Sequence, residues 1–172
     1  ATNLTQIGAS TSGSMEVNVL AGAFTLADTN VGTLVGTGTA SLNITGNAST
    51  VELGKTTFGS GGTLNFEFGS DGVSSVSMNY LVADGATLLV DLTDYTGATG
   101  EFTIVEADRD GVGTGFSSAF SNVTVTEGDY AGSFITQDLG NDVITVTIVP
   151  EPSTYGLLTG LLTLAGVLFR RR

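Results

Sequence analysis

As far as Val149 the chain repeats one pattern: apolar residues at every second position for a short run, then a cluster of Gly, Asn, Asp or Ser. Met15, Val17 and Val19 alternate with Glu16 and Asn18, and Leu42 and Ile44 lead into Gly46-Asn47. Leu64, Phe66 and Phe68 alternate with Asn65 and Glu67, and Leu88, Val90 and Leu92 with Asp91 and Thr93. Val123 and Val125 alternate with Thr124 and Thr126, and Ile144, Val146 and Ile148 with Thr145 and Thr147. A period of two puts one set of side chains on one face of a strand, so each run predicts a strand with a single buried face. The intervening Gly59-Ser60-Gly61-Gly62, Ser70-Asp71-Gly72, Ala83-Asp84-Gly85, Asp110-Gly111, Glu127-Gly128-Asp129 and Gly140-Asn141-Asp142 carry turn chemistry. No stretch before Pro150 sustains a helical period, and the 25 glycines are spread too evenly to permit a long helix. The expected body is all-β.

Gly32-Thr-Leu34, Gly62-Thr-Leu64 and Gly85-Ala-Thr-Leu88 each open a strand in this reading, at unequal separations. The irregular coils of a solenoid tolerate such drift, and so do unrelated hairpins, so pattern alone leaves a β-solenoid and a β-sandwich or jelly roll both open. Residues 62 to 149, from "GTLNFEFGSDG" through "DGATLLVDLTDYTGATGEFTIVEAD" to "FSSAFSNVTVTEGDYAGSFITQDLGNDVITVTIV", resemble the last coils of the β-helical, autotransporter-type passenger repeats of bacterial surface proteins. The resemblance implies short Thr- and Asn-edged strands stacked into a parallel prism. A β-solenoid, parallel β-helix-like, is therefore the favoured body, with the sandwich or jelly roll as its alternative.

At 172 residues the chain suits one domain with a core and one appendage. Only 13% of the residues are charged, against roughly 25% in an ordinary soluble domain. Net charge is -12, and the five cationic residues are Lys55, Arg109, Arg170, Arg171 and Arg172, so residues 1–149 keep two of them. Such an acidic field repels nucleic acid and favours cations, which excludes DNA or RNA as a partner. With no Cys there is no disulfide framework and no thiolate metal site, and with no His the commonest general base and transition-metal ligand are missing. No enzyme is expected, and no catalytic residue is assigned. The chain begins at Ala1 rather than Met, as after removal of a signal peptide behind small residues, and the expected address is outside the cytoplasm.

Four weaker features bear on chemistry. Glu106-Ala-Asp108-Arg-Asp110-Gly111 has the alternating acids of a calcium loop, which makes Asp108 and Asp110 the calcium candidates. It lacks the closing Glu and most of the spacing, so an acidic turn is the simpler reading and no cofactor is expected. Asp91 with Asp94, or Glu101 with Glu106, offers a carboxylate pair of the glycosidase kind, but no Trp accompanies either. Tyr80, Tyr95 and Tyr130 are the remaining tyrosines for a sugar platform, with core packing as the plainer role of each. Asn3, Asn43, Asn47 and Asn122 stand in Asn-x-Ser/Thr triplets, several of which chance supplies in so Thr-rich a chain.

The end of the chain differs from all this: "VPEPSTYGLLTGLLTLAGVLFRRR". Pro150 and Pro152 end the last strand, Ser153 is placed to cap a helix, and residues 155 to 169 are apolar or small. The 17 residues from Ser153 to Phe169 span roughly 25 Å as a helix, near the lower limit for crossing a bilayer. Arg170, Arg171 and Arg172 extend that reach by snorkelling, and the positive-inside rule keeps them cytoplasmic with the β-body outside. Gly156 and Gly160 have the small-x-x-x-small spacing that lets helices approach, and Leu161, Leu164, Val167 and Phe169 supply apolar surface to the helix, in lipid or against other helices.

Pro150-Glu151-Pro152, then the apolar run, then three arginines at the terminus is similar to the PEP-CTERM sorting signal of Gram-negative bacteria. The resemblance implies an exported precursor held in the inner membrane. A membrane protease of the exosortase type then reads Pro150, Glu151 and Pro152 and removes the helix and arginines. It also implies a final place at the cell surface or in an exopolysaccharide matrix. The expected organisation is an exported β-rich domain over 1–149 and a sorting tail over 150–172. The expected function is that of a non-catalytic, self-assembling structural protein of the surface or matrix, its partners being its own copies, the protease, the inner membrane and extracellular polysaccharide. Retained tails would pack together as the core of a homopolymeric filament, because an oily helix outside a membrane needs partners. The alternative is a carbohydrate-binding or degrading module on the same tail.

Overall fold

The computed structural model describes residues 5–8, 14–20, 22–32, 38–46, 49–107 and 115–150. Among them are fourteen strands and no helix, and so none long and apolar enough to cross a membrane. In chain order the strands are β1 (Thr5–Ile7), β2 (Ser14–Val19), β3 (Gly22–Leu26), β4 (Thr29–Val31), β5 (Thr39–Thr45), β6 (Ser49–Phe58) and β7 (Gly62–Glu67). There follow β8 (Val76–Val82), β9 (Thr87–Asp91), β10 (Gly100–Glu106), β11 (Gly115–Ser118), β12 (Asn122–Thr126), β13 (Phe134–Asp138) and β14 (Val143–Ile148).

The chain visits two sheets in turn. The smaller has the order β12-β9-β7-β5-β2, and the larger runs β1-β4-β6-β8-β10-β14-β13, with β3 also on β6 and β11 also on β8. From β2 to β12, each return to a sheet lays a strand parallel to one from the previous turn. That winding is a β-solenoid, and the sandwich alternative falls with it, since a sandwich of this kind is built from antiparallel pairs. Register explains the alternation. Val17, Leu42, Leu64, Leu88 and Val123 form one inward column of the smaller sheet, and Val19, Ile44, Phe66, Val90 and Val125 the next. The strand stacked on Gly62–Glu67 begins with Thr39-Ala40, Ala40 facing Gly62 and Leu42 facing Leu64. The phrase Gly32-Thr-Leu34 is thus not the one in register, and Thr33 and Leu34 lie outside the described residues.

The larger sheet turns a corner. Its inward positions step from Leu26 to Thr29, from Leu53 to Thr56 and from Met78 to Leu81, three residues where a flat strand takes two. Gly54 sits at that corner because a Cβ there would lie 2.8 Å from the Ala27 carbonyl carbon and 2.9 Å from the Asp28 nitrogen. Asp28 Oδ1 accepts from the Lys55 backbone N–H at 3.1 Å, which replaces a ladder bond lost in the bend. The three resulting walls enclose one apolar core. Leu42, Ile44, Leu64, Phe66 and Leu88 come from the smaller sheet and Leu53, Phe58, Val76, Met78 and Leu81 from the larger, all fully buried. Thr29 and Thr56 also point inward. Each hydroxyl is satisfied by donating to the carbonyl two residues back, Ala27 at 2.9 Å and Gly54 at 3.3 Å.

The last strands change sense. β10 touches β8 through Val105 and Glu106 only, then pairs antiparallel with β14, which pairs antiparallel with β13. This meander closes the carboxy-terminal end of the stack.

Because each coil is supported only by its neighbours, the cost of a cavity depends on its level. Phe66→Ala in a middle coil is expected to cost about 3–5 kcal/mol. Val125→Ala in the last coil of the smaller sheet, where the side chain is half-buried, should cost about 1 kcal/mol. Urea unfolding followed by circular dichroism checks both.

Candidate functional site

One of the two carboxylate pairs separates when placed on its strand. Glu101 and Glu106 stand five positions apart on β10, opposite Thr147 and Val143. At about 3.4 Å per residue that is roughly 17 Å, beyond the 5–10 Å that glycosidase pairs need. Asp91 ends β9 and turns back on the chain, its Oδ1 accepting from the Thr93 N–H at 2.9 Å and from the Thr93 hydroxyl. It caps a turn in which Asp94 is exposed. Glu101 and Glu106 are therefore not brought together as a catalytic dyad. Asp108 and Asp110 lie outside the described residues. Among those described, no three or more acidic side chains converge as metal ligands.

The tyrosines divide between core and surface. Tyr95 is buried, with its ring centroid 5.5 Å from that of Phe68 and 6.2 Å from that of Phe102, both edge-on, and 5.2 Å from that of Tyr130. Its hydroxyl donates to Ala98 O, and that of Tyr130 to Gly97 O at 3.2 Å. Phe68 follows β7, Phe102 belongs to β10 and Tyr130 precedes β13, so the cluster fastens the meander to the coils. Such edge-on pairs add about 0.5–1.5 kcal/mol each beyond burial. Burial, then the nearby Tyr130, pushes the Tyr95 phenol above its ordinary value. Tyr80 is half-buried on β8 with the Lys55 ammonium 5.2 Å from its ring centroid, a cation–π contact along one register column.

The outer face of the smaller sheet holds a feature that the sequence reading passed over. Asn18, Asn43 and Asn65 lie in one column on β2, β5 and β7. Asn43 Nδ2 donates to Glu16 Oε1 and, at 2.7 Å, to Asn18 Oδ1. Asn65 Nδ2 donates to Glu67 Oε1 at 3.4 Å, and Thr45 Oγ1 to Glu67 Oε2 at 3.1 Å. The available signal was the triplet apolar-Asn-apolar, present as Val17-Asn18-Val19, Leu42-Asn43-Ile44 and Leu64-Asn65-Phe66. Asn43 is buried and committed to this ladder, so it is closed to a glycan, whereas Asn122 is exposed on β12. Asn3 and Asn47 lie outside the described residues.

Of the sorting residues, Pro150 alone is described. It is exposed, directly after Val149, whose N–H donates to Ser133 Oγ at 3.0 Å. The final strand thus ends at the surface, tied down to within one residue of the proline. Glu151, Pro152, Gly156, Gly160, Leu161, Leu164, Val167, Phe169 and Arg170 to Arg172 lie outside the described residues, as does the expected helix.

Comparison of the chain with protein-family models, curated proteins and solved structures finds no match.

Two titrations follow from these contacts. Asp138 Oδ1 accepts the N–H groups of Gly140 and Asn141, and Oδ2 the Asn141 amide at 2.6 Å. The side-chain amide of Asn141 first, then the two backbone N–H groups, hold its carboxyl below the ordinary 3.8. A depressed value stabilises the fold above the unfolded pKa and is lost as pH falls through the folded one. The melting-temperature gap between the native chain and Asp138→Asn should therefore be open near neutral pH and close in acid. Tyr95 runs the other way. Its raised value stabilises the fold below the ordinary 10.0 and is lost as pH rises through the folded value. In alkaline melts, Tyr95→Phe should remove that step.

Proposed function

We propose that this chain is a non-catalytic, exported structural protein of the bacterial surface or extracellular matrix, sorted by a PEP-CTERM-type tail and working through association with its own copies. The observation that carries the reading is the tail itself, joined to the place where the body releases it. Pro150, Glu151 and Pro152 follow β14 after the single residue Val149, and Pro150 is exposed. A protease at the outer membrane–water boundary needs an extended, accessible segment, and two prolines that cannot join a ladder keep this one out of the sheet.

The division of labour follows from physical chemistry. The apolar run from Tyr155 to Phe169 holds the precursor in the inner membrane. Arg170, Arg171 and Arg172 stop its passage, since leaving the cytoplasmic side would drag three charges through hydrocarbon. The acidic body, already outside, keeps clear of anionic headgroups. Support for a structural rather than catalytic role comes from what its acids do. Asp28, Asp91, Asp138 and Asp142 each accept backbone N–H groups, and Glu16 and Glu67 join the Asn ladder.

Co-expression with an exosortase-type protease tests the reading. The expected product is a chain ending near Pro152 by intact mass, released from the membrane fraction. Pro150→Ala combined with Pro152→Ala should abolish release while leaving the folded body's circular dichroism unchanged. Electron microscopy of the native material then separates two forms of assembly, matrix-embedded released chain or filaments of uncleaved chain packed through Gly156 and Gly160. A full-length chain that neither enters the membrane nor self-associates would overturn the proposal.

A further inference from the structure

Among the described residues Phe134 alone of the aromatic side chains is exposed, at 51%. The other rings are buried or half-buried, in the core, in the Tyr95 cluster or beside the Lys55 ammonium. Alternation along β13 explains the difference. Ile135 and Gln137 stand opposite Val146 and Ile144 on the inner side, which leaves Phe134 and Thr136 facing out. One exposed ring means little alone. Its surroundings give it a use.

Register places Thr147 and Glu101 beside Phe134 in one row across β13, β14 and β10, and Thr136, Thr145 and Thr103 in the next row. These six residues are on the outer face, because Phe102, Val146 and Ile135 occupy the inner one. Glu101, Thr103 and Thr136 are exposed and Thr147 is half-buried. No described residue hydrogen-bonds to the side chains of these four, whereas Glu67, Asp91 and Asp138 are each engaged. The outer face of the smaller sheet is different again, since its amides and acids bond to one another and no ring stands among them.

Strands lie about 4.8 Å apart and alternate residues roughly 7 Å apart, so the patch is a strip roughly 10 Å long from Phe134 to Glu101. An apolar segment laid on it would leave the carboxylate and the hydroxyls dry and without partners. An anionic polymer would meet Glu101 with no cation on the strip to answer it. A neutral sugar suits every part. The C–H face of a pyranose is drawn to the negative face of an aromatic ring, and its rim hydroxyls donate to a carboxylate and exchange hydrogen bonds with threonines.

We propose that the outer face of the β10-β14-β13 meander binds neutral, β-linked polysaccharide, with one sugar ring stacked on Phe134 and the hydroxyls of the next held by Thr147, Thr136, Thr103 and Glu101. The inference rests on the matrix role proposed above and gives that role a ligand. An open strip excludes little water, so a single site is weak, with a Kd on the order of 1 mM. Many copies on one polymer add avidity.

The test uses the full chain in micelles of a detergent without a sugar headgroup. Saturation-transfer NMR should show transfer to at least one of cellohexaose, laminarihexaose and xylohexaose, and none to an acidic oligosaccharide of similar length. Phe134→Ala should weaken that binding about tenfold with an unchanged circular dichroism spectrum. Phe134→Tyr should retain it, and Leu139→Ala, at the exposed residue after β13, should leave it unchanged. Because the chain has no cysteine, Thr136→Cys gives a second reading. Its thiol should react with a water-soluble maleimide as fast as that of Thr124→Cys on β12, and the bound sugar should protect Thr136→Cys alone. Silence with all three neutral sugars, binding indifferent to Phe134→Ala, or equal binding of the acidic one would overturn the inference. So would Thr136→Cys protected without sugar, which identifies the tail as occupant if concentration has no effect and a second copy if protection grows with it. Any of these in a chain that enters the membrane and self-associates leaves the matrix role standing. Sugar binding by a chain that does neither removes that role and keeps the strip.

Discussion

Every other feature of this molecule depends on the parallel ladder that lays each coil on the one before it. A strand such as Gly62–Glu67 has one apolar face and two hydrogen-bonding edges. β5 and β9 occupy the edges, while the face is covered by the other walls of the same coils. Taken alone, one coil would expose its backbone groups and half its apolar surface. Burial and backbone satisfaction are therefore achieved together, and only by repetition. The same constraint explains why the ends are special: a terminal coil has half the support of a middle one. At the carboxy-terminal end the chain answers with antiparallel strands and an aromatic cluster.

The polar chemistry follows from the stacking as well. Parallel, in-register strands place like residues above one another at a spacing near 4.8 Å. Asparagine suits such a column because each amide is both donor and acceptor: Asn43 Nδ2 donates to Glu16 and to Asn18, whose amide oxygen accepts. Acids in such columns are held by hydroxyls, amides and backbone N–H groups, which suits a chain with so few cations.

The candidate site was legible to very different degrees. The proposal for the tail rests on residue order alone, a proline break, an apolar run and terminal arginines, and residues 151–172 lie outside the described residues. What the fold adds is the position of Pro150 at the surface. The tyrosines were not legible in this way. Tyr95 and Tyr130 both follow an Asp in a turn, and nothing in that context says that they meet each other and Phe68, because Tyr130 and Phe68 are each 27 or more residues from Tyr95 along the chain. The Glu101 and Glu106 pair fails on a distance that follows from strand geometry once β10 is recognised.

Alternation of apolar and polar residues determined which side chains face inward, where the turns fall, and that the body is all-β, because a strand has a period of two whatever it pairs with. It did not decide the pairing. The same runs allow parallel or antiparallel neighbours, and a slip of one residue would reverse every face. Tertiary structure settled that choice by matching Leu42 to Leu64 to Leu88 while Gly54 passed under Ala27 at the corner. Those fits depend on the shape of adjacent coils, and no single run of sequence contains the shape of its neighbour.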